Sequence, residues 1–456
     1  MKKEKGKYLI ISMCLIIIVI VTIVIVACMN GKDESNSVLN PTMTGGNYVA
    51  STDYSKLSFN LLGRPTMVEA EDGFYSVEGG MYLRYYDKKA GKATVVCNKP
   101  NCDHSNTETC GGAINAFEIQ YYNGKIYFTD TFVETNDRRL MSINADGSNE
   151  KVVQILEDNR EYMYADNASF IIHRGIVYYI LSTGEVMANE LGGKLEDAIP
   201  VFNESLEKVE FQNGVQVISG NTSMRMLYAD GENIYLRLME KVNNSYVETF
   251  YQYNVTKNES KQVFQIPTKE IVGEWEETGV KSEGWYIEGN DLYYFLSENG
   301  LWKYNFETRE NKKIIDLQDV RGFATIDGEH LYINNGNLVD ETSGLGEVSS
   351  VEDFWKSDLS DEQVKNLSIK IYNIETANYE GEIKYSDIWN NGKYRNFKIA
   401  ALTSDGILIA GENIFDATKS LYYANRENIK ESKFKHIDLG EKINDQLGGS
   451  VNITVD

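Results

Sequence analysis

The sequence predicts an all-β fold, a β-propeller of four-stranded antiparallel blades with a small helical insertion. Three observations predict it. Beyond Tyr54 only one short segment suggests a 3.6-residue apolar period, whereas alternating runs rich in Tyr, Ile, Val and Phe recur between Gly, Asn and Asp turns. One unit, an apolar strand, a turn with Gly and a Tyr-rich strand, occurs seven times. A second hairpin follows most of these units, giving four strands in about 50 residues, the repeat arithmetic of a propeller. The count of units makes seven blades the expectation. Six or eight stay open, because ring closure can borrow a strand from either end and the unit after Gly328 is long.

From the N-terminus, residues 1–27 read as a signal or anchor segment. Four Lys and one Glu precede an apolar run from Tyr8 to Ala27. The run ends Ile25-Val26-Ala27-Cys28, which resembles a bacterial lipobox and implies acylation of the Cys28 thiol. An uncleaved transmembrane helix is the alternative, since about 19 apolar residues can span a bilayer. Either way the positive flank stays inside and the body lies outside, an extracytoplasmic protein anchored to the outer face of the membrane by lipid or helix. Residues 28–54, rich in Ser, Asn, Thr, Gly and Asp, read as a flexible tether, and 55–456 as the propeller.

Within 55–456 the first hairpins are EDGFYSV at Glu71, YYNGKIYFTD at Tyr121, HRGIVYYIL at His173, ADGENIYLRL at Ala229, EGNDLYYFL at Glu288, IDGEHLYIN at Ile326 and SDGILIAG at Ser404. Their glycines, Gly73, Gly124, Gly175, Gly231, Gly289, Gly328 and Gly406, are each expected at positive φ in a two-residue turn. The second hairpins run from Arg138 to Val153, Thr249 to Phe264, Gly300 to Ile315, Ile369 to Tyr385 and Ser420 to Ile437.

Gly124-Lys125-Ile126-Tyr127-Phe128-Thr129-Asp130, followed by LMSINADGSNEKVV from Leu140 to Val153, resembles one repeat of the YWTD propellers of low-density-lipoprotein receptors. It is also similar to a propeller domain of bacterial secreted lipoproteins that carry a Cys-rich segment. The match covers about 30 residues; the other units keep the Gly turn and the Tyr but lose the Thr-Asp pair. The resemblance implies a protein-binding, non-catalytic role. It also implies six blades, one fewer than the units counted.

With strands lettered A to D from the axis outward, the A–B and C–D turns are short. The long segments fall in D–A connections (98–115, 203–223, 265–284, 386–395) and B–C connections (131–137, 240–247, 335–367), all at one end of the strands. Long loops held on a rigid scaffold are where binding residues concentrate. Trp275, Trp355 and Trp389, with Tyr394, fall in these connections and are the candidate ligand-binding residues, by stacking on sugar or as protein hot spots. The competing role for each Trp is to pin its own loop to the ring. Trp285 and Trp302 lie in strands and are expected in the core. Inside the 335–367 insertion, Ser350 to Leu367 is the one helical candidate, with Ser350/Asp353 and Ser360/Gln363 at capping-box spacing.

The loop 97–112 holds Cys97, Cys102, His104 and Cys110, a C-x4-C-x-H-x5-C pattern. With Cys14 and Cys28 assigned to the signal and the lipid, three cysteines remain, an odd number for a disulfide framework. Three thiolates and an imidazole can close a tetrahedral structural Zn site. One disulfide with a free thiol is the rival. Either outcome cross-links the first D–A loop.

Net charge is −23, and −26 without residues 1–27, which hold +3; so acidic a chain repels nucleic acid and anionic lipid. No Gly-x-Ser-x-Gly, P-loop or His-Glu-x-x-His motif occurs. His173 and His330 flank A–B turns, and His436 lies in an outer strand, none beside a nucleophile. The Asp-Gly pairs at Asp146, Asp230, Asp327 and Asp405 read as turns. Glu274, Glu276 and Glu277 form a solvated run. The sequence therefore points to a non-catalytic binding or scaffold module for a protein or cell-wall glycan. The alternatives are a surface glycoside-active enzyme using funnel carboxylates and a structural or sensory subunit of a membrane complex.

Overall fold

The computed structural model describes residues 49, 51–55, 67–78, 82–104, 109–132, 135–158, 169–202, 211–212, 215–216, 224–242, 245–266, 282–334, 361–389, 395–413, 418–429 and 433–438, except positions 115, 117, 319 and 321. Cys28, Trp275, Trp355, Tyr394 and the Glu274–Glu277 run lie outside these residues.

Seven four-stranded antiparallel sheets follow one another in chain order. Blade 1 is β1 (Met67–Glu69), β2 (Gly73–Glu78), β3 (Tyr82–Asp87) and β4 (Lys92–Val95). Blade 2 is β5 (Ile119–Tyr122), β6 (Lys125–Phe132), β7 (Asp137–Asn144) and β8 (Lys151–Glu157). Blade 3 is β9 (Phe170–His173), β10 (Ile176–Ile180), β11 (Val186–Glu190) and β12 (Ile199–Val201). A hairpin, β13 (Phe211–Gln212) and β14 (Val215–Gln216), precedes blade 4: β15 (Met224–Asp230), β16 (Asn233–Val242), β17 (Ser245–Asn254) and β18 (Glu259–Ile266). Blade 5 is β19 (Gly284–Glu288), β20 (Asp291–Leu296), β21 (Gly300–Asn305) and β22 (Asn311–Asp316). Blade 6 is β23 (Phe323–Ile326), β24 (His330–Asn334), β25 (Ser368–Asn373) and β26 (Tyr379–Lys384). Blade 7 is β27 (Arg395–Leu402), β28 (Gly406–Asn413), β29 (Thr418–Asn425) and β30 (Lys435–Ile437). The fold is a seven-bladed propeller, one blade more than the receptor resemblance implies.

The core sits between blades. Alternate residues of a strand share a face, so Ile126 and Phe128 of β6 stand with their partners Ile143 and Met141 of β7. These four pack with Val68, Tyr75 and Leu83 of blade 1. Equivalent clusters join blades 2 and 3, 5 and 6, 6 and 7, and 7 and 1.

Polar side chains register the seams. The Gln120 amide donates to Ile172 O at 2.6 Å and accepts from Ile172 N at 2.7 Å, which ties blade 2 to blade 3. Arg138 Nη2 donates to Ile180 O at 2.7 Å across the same seam. In blade 4, Arg237 Nε donates to Glu248 Oε1 at 2.6 Å, and Glu248 Oε2 accepts Ser282 N at 2.8 Å at the entry to blade 5. Asn334 Nδ2 reaches Phe397 O at 2.6 Å between blades 6 and 7.

Among the described residues, ring closure borrows no whole strand. Asp438, just past β30, forms a parallel bridge to Lys92. Its carbonyl accepts Ala93 N at 2.7 Å, and its N–H donates to Gly91 O at 2.9 Å. Lys88 Nζ lies 2.7 Å from both Glu69 and Asp405, across the same seam.

Five turn glycines have the expected positive φ: Gly124, Gly175, Gly231, Gly289 and Gly328. Gly73 and Gly406 do not. They begin β2 and β28, where a Cβ would stand 2.1 Å from Tyr86 O and 2.2 Å from Ala424 O, so the requirement is backbone approach. The Asp-Gly aspartates serve turns and seams, as Asp327 does in accepting the N–H groups of Glu329 and His330 and pairing with Arg426 at 2.6 Å.

Trp285 is buried as expected. Trp302 is only half-buried, because β21 turns its indole outward to stack on Tyr294 and lie beneath Lys313. A helix at Asp361–Asn366 falls inside the helical candidate, whose residues 350–360 lie outside the described set. Short helical turns at Leu195–Asp197, Tyr385–Ile388 and Arg426–Ile429 were not expected. Among the described residues no helix is long and apolar enough to cross a membrane.

The expected tether does not run unstructured to residue 54. Residues 51–54 lie on the A–B ends of blades 2 and 3, with Ser51 O accepting Asn123 N and Thr52 O accepting Arg174 N, both at 2.8 Å. Asp53 and Tyr54 are each 4% exposed, a burial their polar neighbours gave no sign of.

Candidate metal centre and the elaborated end of the ring

Cys97 leaves blade 1 two residues after β4. Val96 N donates to Leu83 O at 2.9 Å, and the returning chain gives Gly112 O to Leu83 N at 2.8 Å, so both ends of the loop are pinned to β3. Gly112 is required there, since a Cβ would meet Val96 O at 2.3 Å. From blade 2, the β7–β8 turn presses on the same spot: a Cβ on Gly147 would lie 2.6 Å from Val96 O and 3.2 Å from Cys97 Cα. The loop therefore sits on the seam of blades 1 and 2.

Between those pins the chain turns through Asn101 (φ 60°) and His104 (φ 56°). A left-handed His is uncommon, and here it brings the imidazole to the thiols. Ligand atoms of Cys97, Cys102, His104 and Cys110 all lie within 4.8 Å of one another, and His104 Nδ1 is 3.3 Å from Cys110 Sγ. Tetrahedral zinc with bonds of about 2.0–2.3 Å needs its ligands about 3.5–3.8 Å apart, so the donor set fits one ion. The three sulfurs are free thiols, not a disulfide and a remainder.

Burial pushes the Cys110 thiol up to about 11, further raised by its neighbours Cys102 and Cys97. Desolvation would raise Cys97 as well, but hydrogen bonds from the amides of Lys99 and Gly111 and from the other thiols bring it below the usual thiol range. Three thiolates side by side repel, and a divalent cation is the group that relieves this. Four protein ligands leave no open position for catalysis.

The second candidate is the end of the ring that carries the B–C and D–A connections. In every blade the A–B connection is two or three residues. The long connections 96–118, 202–223, 267–283 and 335–367 leave the opposite end. Two expected long B–C segments are instead hairpins of extended strands: Phe132 pairs with Asp137, and Glu240 pairs with Val247. Two C–D connections, 191–198 and 426–434, are longer than expected, each holding a short helical turn.

Of the four proposed ligand contacts only Trp389 is described. It caps the Tyr385–Ile388 turn, is 5% exposed, donates its Nε1–H to Ser420 Oγ at 3.2 Å, and packs on Tyr385, Phe397 and Tyr422. Trp389 pins its loop; a buried indole has no face left for a ligand.

The buried acids among the described residues are Asp53, Glu118 and Glu248, together with Asp327, whose side chain is shut off from solvent against Arg426. Asp53 pairs with Arg174 at 3.1 Å and Glu248 with Arg237 at 2.6 Å. Sequence reasoning placed His173 beside its turn but missed that it, Arg174 and Asp53 meet. The available signal was Arg174 itself, which takes φ 52° where the other two-residue A–B turns put Asn123, Gly231 and Gly289.

No family model matches this chain, and no curated protein does. Among solved structures, a prolyl endopeptidase is 10% identical with TM-score 0.47, covering 86% of this chain, which spans only 51% of that one. The β-propeller domain of the Trilobed protease from Pyrococcus furiosus is 11% identical with TM-score 0.40, covering 89% of this chain and 100% of its own. An oligogalacturonate lyase in complex with manganese is 13% identical with TM-score 0.32, covering 58% of this chain and 70% of its own. None of their chemistry is carried over.

Proposed function

We propose that this chain is an extracytoplasmic, membrane-tethered propeller that binds a protein or a cell-wall glycan without catalysis, with one structural zinc at Cys97, Cys102, His104 and Cys110. One observation carries the binding role: A–B connections are trimmed to two or three residues in all seven blades, while the connections at the other end reach the extent of 335–367. Three of the four buried carboxylates among the described residues, Asp53, Glu248 and Asp327, are already committed to arginines, which favours binding over a glycosidase pair. The acid-rich composition favours partners other than nucleic acid.

The test uses the full chain in detergent, presented to a glycan array and to crosslinking on intact cells. Replacing 335–360, and separately 267–281, by short Gly-Asn linkers is expected to abolish capture and leave melting unchanged. Capture that survives both replacements, or shortening of an offered glycan, overturns the reading.

A further inference from the structure

Residues 51–54 are fastened to blade 2 through Ser51 and to blades 3 and 4 through one histidine. His173 ends β9 at the A–B turn of blade 3, and is 3% exposed. Its Nδ1 lies 3.0 Å from Tyr54 N. A backbone N–H can only donate, so Nδ1 must be unprotonated to accept. The other ring nitrogen, Nε2, is 2.7 Å from Gly231 O in the A–B turn of blade 4, and a carbonyl can only accept. The two partners together fix the neutral Nε2–H tautomer. No arrangement of the imidazolium satisfies both, because a second ring proton would point at the Tyr54 N–H.

The remaining contacts depend on that arrangement. Tyr54 stacks edge-on against Tyr228 of β15 at 5.6 Å. Asp53 accepts from Arg174 Nε at 3.1 Å and Nη2 at 3.2 Å. Asp53 also closes its own turn, its N–H donating to Val49 O at 2.8 Å and its Oδ2 accepting Val49 N at 3.2 Å.

We propose that Val49 and residues 51–54 form a pH-sensitive clasp over the A–B end of blades 2, 3 and 4, docked while His173 is neutral and released when it takes a proton.

The charges facing His173 are Asp53 from the clasp, Arg174 from its own turn and Asp230 from blade 4. The two carboxylates favour the imidazolium and Arg174 opposes it. Burial outweighs them and holds His173 below the ordinary imidazole range, although the contact with Gly231 works the other way. A group whose docked pKa is depressed stabilises docking above its free value, about 6.5. That contribution declines as pH falls below 6.5 towards the docked value. The window is mildly acidic.

Hydrogen exchange on the full chain, expressed as protection factors at pH 7.5 and pH 5.0, tests it. Protection of the peptide spanning 49–55 is expected to fall about tenfold for each unit by which docking depresses His173, with β16 unchanged. In His173→Asn, whose Oδ1 can accept the Tyr54 N–H and does not titrate, protection is expected to be the same at both pH values. Wild-type protection that does not change with pH overturns the proposal, as does a parallel loss in β16 or an equal fall in His173→Asn. Should that variant not fold, the wild-type profile decides: a midpoint below 6.5 confined to 49–55 supports the clasp, and any other profile sinks it.

Discussion

Two glycines with similar sequence surroundings meet different constraints. Gly124 has φ 76° and open space around its missing Cβ, whereas Gly406 has an ordinary φ but lies against Ala424 O. Gly124→Ala therefore costs only the left-handed penalty, about 1 kcal/mol. Gly406→Ala must push two strands apart, at about 3 kcal/mol. Urea unfolding of both variants reads the difference. At the Arg237–Glu248 pair, removing one partner strands a buried charge. Arg237→Met is expected to cost about 3–5 kcal/mol, and adding Glu248→Leu to restore most of it; a double-mutant cycle measures the coupling. Neither the glycine contrast nor this pair was legible from one sequence, since both depend on which backbone or carboxylate lies across a sheet.

Elements were read far better than their contacts. Alternation and Gly turns locate the hairpins within a few residues, because a strand's period is written in its own residues. The four-residue helical turns at Tyr385–Ile388 and Arg426–Ile429 are too short to show a period. Residues 51–54 read as linker because Ser, Thr and Asp look solvated until a partner such as Arg174 is known. Trp389 had two roles open, and only burial chose between them. The cysteine loop was legible as a donor set, and the structure adds its place on a seam. Zinc there should hold blades 1 and 2 together. Metal analysis is expected to give about one zinc per chain, lost in Cys97→Ser, and a strong chelator is expected to lower Tm by a few degrees. A metal-free protein whose Tm ignores the chelator would show the thiols to be only packed cysteines.

At the scale of the molecule, the seven-unit repeat gave the blade count, but the manner of closure is a property of the ring. Asp438 supplies two backbone hydrogen bonds to the edge of blade 1. Ending the chain at Ile437 removes them, at about 1 kcal/mol each. The expected result is faster hydrogen exchange at the Ala93 N–H, which loses its acceptor, with blade 4 unaffected. Uniform loosening of all blades would mean that closure is shared around the circle.

Each blade is also drawn from one uninterrupted run of chain, and its limits fall where the repeat begins again. An in-frame duplication or loss of one repeat adds or removes a complete sheet and orphans no strand. Such a ring can change its circumference by whole steps, with each intermediate still a set of finished parts.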